Sequence, residues 1–312
     1  MNKRCLVCLR PVDGESEYHA LCSRRFFRMS SPPALEISLD SVRSLAAQSV
    51  LARITVTGVQ KKLSLGVEGH GSSARLTIVG LWGGFILKPP SDEYPFLPEN
   101  EDTVMRMASV MGIPTVPSAL IRLASGELSY ITKRVDRDTV NRKVAMEDFC
   151  QITGRLTEDK YKGSVERIGS FLRRYSIYPG LDGVDLFERI LFNYIIGNSD
   201  MHLKNYSMIE TDDGMRLSPA YDLLSTVLAI PDDNEESALT INGKKNRLSS
   251  KDFIALAHSF DITDKVISNL FRKYDDSEHS LFATIDSGFL PENSKDRLKS
   301  LVDERVSVLL AG

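Results

Sequence analysis

The 312-residue sequence contains no apolar run long enough to span a bilayer. Its longest strongly apolar stretch, Ile190 to Ile196, is broken by Asn193 and falls far short of the roughly 20 residues that a membrane helix requires. An apolar leader is also missing, because Arg4, Arg10, Asp13, Glu15 and Glu17 interrupt the start, so a cytoplasmic location is expected. Neither sign of charge dominates: 39 Lys and Arg against 42 Asp and Glu leave a net charge of −3. Without a global positive field, direct DNA binding is not expected. Cysteine is scarce, with Cys5, Cys8 and Cys22 crowded at the start and Cys150 alone, a distribution that excludes a disulfide framework. Disorder is excluded as the dominant state, since 42% hydrophobic residues can fill one large core or two smaller ones.

The crowded cysteines have a pattern of their own. Cys5, Cys8, His19 and Cys22 read C-x2-C-x10-H-x2-C, and two short pairs of this kind can close a tetrahedral Cys3His zinc site. Pro11, Asp13 and Gly14 supply turn residues between the pairs. Four protein ligands leave no open position, so the expected zinc is structural; reduced surface thiols are the alternative. Arg24, Arg25 and Arg28 flank Phe26 and Phe27, which reads as a packed aromatic pair with solvated arginines. Cys150 reads as a buried apolar filler in a helix.

Beyond this small module (1–30) the chain predicts a sheet-rich part (31–140) followed by a helical part (141–312). Strands are predicted at Ile54–Thr57, Leu63–Val67, Arg75–Val79, Gly84–Lys88, Ala119–Leu123 and Leu128–Arg134, separated by Gly-rich or Pro-rich turns. One helix interrupts them: Val104, Met107, Ala108 and Met111 share a face over Glu101–Met111, and Gly112 with Pro114 ends it. From Met146 onward the pattern is mostly helical, as in Leu186, Phe187, Ile190, Leu191, Tyr194 and Ile195, or in Leu298, Leu301, Val302, Arg305 and Leu309. There is no internal repeat.

Chemistry concentrates after the first of these helical runs. Asp200 and Asn205 stand at D-x4-N, the separation at which a protein-kinase loop offers a base and a metal ligand to one phosphoryl group. Seventeen residues on, past a predicted hairpin through Asp213-Gly214, Asp222 stands where a second metal-binding carboxylate is expected. Upstream, Lys88 ends a strand, and Glu101 on the next helix can hold it as an ion pair. This order suits phosphoryl transfer from ATP with Mg2+, in which positioning and charge neutralisation do nearly all the work. His202 is expected to be a structural hydrogen-bonder rather than a base. Lys204 either reaches a phosphate or the substrate hydroxyl, or is solvated surface.

Taken together, Thr57 to Lys62, Phe85 to Pro89, Asn100-Glu101, Lys133 to Arg137, Glu147 to Gln151, Gly197 to Asn205 and Ser218 to Ser225 resemble the motifs of the HipA-type toxin kinases. The resemblance covers about residues 50 to 310, in order. It implies an α+β, two-lobed protein-kinase-like fold, with a sheet-rich N-lobe and a helical C-lobe. It also implies phosphorylation of serine or threonine on a translation-related protein such as an aminoacyl-tRNA synthetase. By position, Asp200 would be the base, Asn205 and Asp222 the magnesium ligands, and Lys88 the ATP-phosphate lysine. Gly58, Val59, Gln60, Lys61 and Lys62 would cover the phosphates, and Lys133, Arg134 and Val135 would form the adenine hinge. Thr55 and Thr57 match positions that are autophosphorylated in the family.

Two departures accompany this likeness. About 50 residues precede the phosphate loop where the full-length pattern has about a hundred more. The chain therefore looks closer to the short HipT-type form, whose missing subdomain is a separate small protein encoded beside a helix-turn-helix antitoxin. Both are expected partners. The phosphate loop has one glycine, Gly58, in place of a G-x-G-x-x-G, so its grip would rest on backbone amides and on Lys61 or Lys62. Two other classes stay open: an inactive pseudokinase or co-repressor bound to a DNA-binding antitoxin, and a small-molecule kinase, since antibiotic and lipid kinases share D-x4-N followed by Asp.

Overall fold

The structure, a computed structural model, describes residues 3–51, 62–80, 83–138, 140–230 and 234–311. They divide into two compact units, Met1–Asp102 with Val116–Arg142, and Thr103–Thr115 with Lys143–Gly312.

The first unit begins with helices α1 (Ala20–Phe27) and α2 (Leu39–Leu51) and continues into strands β1 (Leu63–Glu68), β2 (Arg75–Ile78) and β3 (Phe85–Lys88). Helix α3 (Leu97–Val110) follows, its residues from Thr103 onward belonging to the second unit, then β4 (Ser118–Arg122) and β5 (Leu128–Lys133). The five strands form one antiparallel sheet in the order β2-β1-β3-β5-β4. They coincide with the strands predicted from residue 63 onward; the segment predicted at Ile54–Thr57 lies outside the described residues. Ala119, Leu120 and Ile121 of β4 and Tyr130 and Ile131 of β5 are all buried, so these strands are covered on both faces. Each large aliphatic side chain so removed from water contributes about 1.5–3 kcal/mol.

Helix α3 buries the predicted stripe Val104, Met107 and Ala108, and ends where Gly112 takes φ +77 and the amide of Ile113 bonds the carbonyl of Ala108 at 3.0 Å. It starts four residues earlier than predicted, because Pro98 in the first turn needs no amide partner and Glu99 beside it suits the positive end of the helix.

The first thirty residues belong to this same unit. The amide of Leu120 donates to the carbonyl of Leu6 at 3.1 Å, the Tyr18 hydroxyl donates to the carbonyl of Leu120 at 2.8 Å, and Arg122 pairs with Glu17 at 2.7 Å. Phe26 and Phe27 are buried against each other and against Phe85, with ring centroids 4.8 to 5.9 Å apart, while Arg24, Arg25 and Arg28 stay exposed.

The second unit is helical, with one correction to the sequence reading. After Arg142, β6 (Met146–Asp148) pairs with a hairpin of β7 (Ser207–Thr211) and β8 (Gly214–Leu217) in a three-stranded antiparallel sheet. Three residues of β6 are too few to show a period of two, which is why only the turn at Asp213-Gly214 is legible in the sequence. The helices are α4 (Phe149–Ile152), α5 (Val165–Tyr175), α6 (Pro179–Ile195), α7 (Thr226–Ala229), α8 (Ser250–Ser259), α9 (Asp264–Asp276), α10 (Glu278–Ser287) and α11 (Glu292–Leu310). Leu186, Phe187, Ile190, Leu191, Tyr194 and Ile195 of α6 are buried, as are Leu298, Val302 and Leu309 of α11, and Cys150 is buried in α4. Asp182 ties the first turn of α6 to β8, accepting from Arg216 at 2.6 Å and from the amide of Leu217 at 2.8 Å. Among the described residues no helix is long and apolar enough to cross a membrane.

Candidate active site

The loop after α6 is fixed by side chains of α6, of α7 and of its own residues. Gly197 sits at φ +65, and a Cβ there would meet Leu301 at 2.7 Å and Val227 at 2.8 Å, so only glycine fits the turn. Thr226 donates to the Gly197 carbonyl at 2.9 Å and accepts from the Ser199 amide at 2.9 Å. The Asn198 side chain donates to that of Asn193 at 2.9 Å, and its Oδ1 accepts from the amide of Asp200 at 3.2 Å. The Asp200 carbonyl then gathers the rest of the loop: it accepts from the His202 amide at 2.8 Å and from the Asn205 side-chain amide at 3.0 Å. This second bond leaves the Asn205 side-chain oxygen as an acceptor for a cation.

The carboxylate of Asp200 accepts a hydrogen bond from the Tyr161 hydroxyl at 2.5 Å. Tyr161 lies between α4 and α5, on a segment whose Lys160 carbonyl receives the amide of Leu203 at 3.1 Å. Its ring packs edge-on against His202, with centroids 5.1 Å apart. Burial, helped by the charge of Lys160, pushes the His202 imidazole below its ordinary pKa against the opposing pull of Asp200 and Asp222 and so favours the neutral ring. That suits packing and orientation rather than charge. Lys204 is drawn toward Asp148, 3.7 Å away, the residue that caps α4.

Asp222 follows Tyr221, whose hydroxyl donates to the Lys204 carbonyl at 3.1 Å and therefore accepts from Ser207 at 2.5 Å. Asp222 itself has φ +56, a left-handed backbone that costs about 1 kcal/mol or more for a residue with a Cβ. Strain of this kind persists where the surroundings over-determine it, and here it sits on the residue expected to bind metal.

In the first unit, Lys88 and Glu101 form an ion pair of 2.5 Å, with both side chains at most 2% exposed. The Lys88 ammonium also lies 5.5 Å from the centroid of the buried Tyr130 ring. Lys62 is described and exposed, immediately before β1. Gly58, Val59, Gln60 and Lys61, with Thr55 and Thr57, lie outside the described residues. At the end of β5 the amide of Lys133 donates to Pro117 and that of Arg134 to Gly84, each with a definite partner in the sheet. The Arg134 side chain pairs with Asp136 at 2.7 Å, and Lys133 turns to α1, donating to the Arg25 carbonyl at 3.2 Å.

The structure also gathers the Cys/His cluster: the ligand atoms of Cys5, Cys8, His19 and Cys22 lie within 4.8 Å of one another, in a group that could hold a metal ion. Burial opposes ionisation of Cys5, but the amides of His19, Val7 and Cys8 bring its thiol down to about 7; burial and the neighbouring thiols push Cys22 up to about 12.

Tyr161 is the residue that sequence reasoning missed. It is 39 positions from Asp200 in a run of charged residues, Glu158-Asp159-Lys160-Tyr161-Lys162, that reads as solvated loop.

Residues 54–280 match the family of HipA-like C-terminal domains. The protein Y4mE of Sinorhizobium fredii is 38% identical over 216 residues, 67% of this chain and 50% of its own length. The serine/threonine-protein kinase toxin HipA of Shewanella oneidensis is 28% identical over 198 residues, 55% of this chain and 43% of its own. The chain thus spans about half the length of these two relatives. A structure of the Shewanella oneidensis MR-1 toxin-antitoxin system, HipA with HipB and operator DNA, superposes with a TM-score of 0.69 at 23% identity, covering 85% of this chain and 71% of that one. With its sheet-rich and helical units and its match over residues 54–280, this chain belongs to the HipA-like C-terminal domain family.

Proposed function

We propose that this chain is an ATP-dependent protein kinase that phosphorylates serine or threonine and acts, in the cytoplasm, as the toxin of a toxin-antitoxin pair. The observation that carries the reading is the loop in which one carbonyl, that of Asp200, fixes both the Asp200–His202 turn and the side chain of Asn205, so that base and metal ligand are set by a single group. Bound Mg2+ and ATP supply the phosphoryl group and neutralise its charge. Asn205 and Asp222 hold the cation with one amide oxygen and one carboxylate, a hard oxygen set that suits magnesium. Lys88, held straight by Glu101, binds phosphate oxygens, Lys62 belongs to the loop that covers them, and Asp200 takes the hydroxyl proton as the substrate oxygen attacks. Because the amides of Lys133 and Arg134 serve the sheet, adenine is read through Val135. Lys204 adds positive charge near the substrate hydroxyl.

The Shewanella toxin is found with HipB on operator DNA, which supports an antitoxin as partner here, and a helix-turn-helix protein is proposed for that role. A small partner protein, and a translation-related substrate such as an aminoacyl-tRNA synthetase, complete the proposal. Incubation with radiolabelled ATP and cell lysate tests it: label on one or a few proteins supports a protein kinase, label only on small molecules selects a small-molecule kinase, and no label leaves a binding module.

Tyr161 holds one oxygen of Asp200 and leaves the other to the substrate. Tyr161→Phe should therefore lower kcat about tenfold, the usual worth of a hydrogen bond to a charged group, with KM for ATP unchanged. Thr55 and Thr57 are proposed self-phosphorylation sites; a phosphate there adds about −1.5 to −2 charge beside the ATP phosphates and weakens ATP binding. Mass spectrometry should find phosphothreonine at one of them in active protein and none in Asp200→Asn.

A further inference from the structure

We propose that Cys5, Cys8, His19 and Cys22 bind one zinc ion, and that this ion, acting through α1, braces the end of β5 at Lys133. The consequence for nucleotide binding rests on the function proposed above; the metal and the brace do not.

The donor geometry comes first. Zinc bonds of about 2.3 Å to sulfur and about 2.05 Å to nitrogen give tetrahedral S···N edges of about 3.6 Å. The His19 Nδ1 atom lies 3.3 Å from the Cys8 sulfur and 3.8 Å from that of Cys22. The other ring nitrogen, Nε2, is 2.8 Å from the Pro11 carbonyl, which can only accept, so Nε2 carries the proton and Nδ1 presents its lone pair to the thiols. Cys5 and Cys8 lie on a tight turn closed by the bond from the Cys5 amide to Arg10 at 2.9 Å and from the Leu9 amide to Cys5 at 2.8 Å, with Leu9 at φ +61. His19 is the N-cap of α1 and Cys22 lies in its first turn. The ion would join the turn to the start of the helix, and with four protein ligands it has no position open for chemistry.

The second step follows α1 to its other end. Eight residues are too few for a helix to stand alone in water, so its position depends on what holds its two ends. At the start are the two ligands. In the last turn, the Arg25 carbonyl accepts from the Lys133 ammonium at 3.2 Å, and the Phe26 ring lies 5.6 Å from that same ammonium. Phe26 and Phe27 also pack on Phe85, the first residue of β3, whose last is Lys88. Both ligand pairs are anchored beside β4 as well, through Leu6 and Tyr18 on Leu120. Loss of the ion frees the turn from the helix and removes the fixed end of the brace.

Full-length protein purified without chelator should contain one zinc per chain by elemental analysis. Cys150→Ser should keep it and Cys22→Ser lose it. Refilling stripped protein with cobalt(II) should give the absorption bands of a tetrahedral thiolate site. Stripping zinc should raise amide hydrogen exchange over residues 128–135 by about tenfold or more, and zinc alone should reverse the change. Phe26→Leu, which leaves every ligand in place, should keep the zinc and reproduce the faster exchange, separating the brace from general unfolding. Protein without zinc and without cobalt bands overturns the site. Full zinc with exchange over 128–135 unchanged, both on stripping and in Phe26→Leu, overturns the brace. If zinc and exchange behave as described and nucleotide affinity weakens together with them, the proposal extends to ATP binding; if the intact protein binds no nucleotide at all, the brace stands and the kinase reading fails.

Discussion

Asp200→Asn should lower phosphoryl transfer by about 10²- to 10⁴-fold, the usual contribution of a positioned general base, and abolish any growth arrest on expression. The fold should survive, because the asparagine oxygen can still accept the Tyr161 hydroxyl hydrogen bond and the backbone bonds of the loop are untouched. Asp222→Asn should lose activity to a similar degree by a different route. Asparagine tolerates the left-handed backbone at φ +56, so the geometry is kept while the cation loses its charged ligand. Transfer of labelled phosphate to substrate, measured beside melting temperature, checks both; activity retained in both variants would sink the assignment.

Lys88→Met should be costly twice over. Transfer should become undetectable, since Lys62, exposed on the covering loop, does not occupy the buried position that Lys88 shares with Glu101. Stability should fall by about 3–5 kcal/mol, because Glu101, 1% exposed, keeps a carboxylate deprived of its ion pair. The double variant Lys88→Met with Glu101→Leu removes both charges together and should recover most of the stability and none of the activity. Denaturant unfolding of the three proteins separates the two effects. A single variant as stable as the parent would mean that the pair contributes nothing to the fold.

The sheet was legible because its strands alternate between short apolar runs and Gly or Pro turns, a pattern set locally. The Lys88–Glu101 ion pair was legible for another reason: a lysine ending a strand and a glutamate on the next helix can be read as partners, and the pair forms as that reading implies, while the roles of Asp200, Asn205 and Asp222 belong to the proposed function. What escaped was decided by partners distant in the chain. β6 is a strand only because β7, some sixty residues later, supplies its hydrogen bonds. Tyr161 matters only because the loop at Leu203 folds back on Lys160. The commitment of Lys133 to α1 rather than to a ligand could not be read either, since the carbonyl that receives it belongs to Arg25, 108 residues away.

The contacts that seat the first thirty residues also set an order of assembly. Tyr18 meets Leu120 across 102 residues, and Arg122 meets Glu17 across 105. On the ribosome the Cys/His turn and α1 emerge first, yet the strands that receive them are made last in the first unit. Closing loops of that length is entropically slow, so Tyr18, buried in the folded unit, must wait for its partner while some hundred residues are added. A nascent chain that stops before β4 therefore lacks the residues that seat Tyr18 and Glu17, and is a substrate for chaperones and proteases rather than a folding domain. The chain can acquire its proposed activity only after synthesis has passed that point, and Asp200, in the second unit, comes later still.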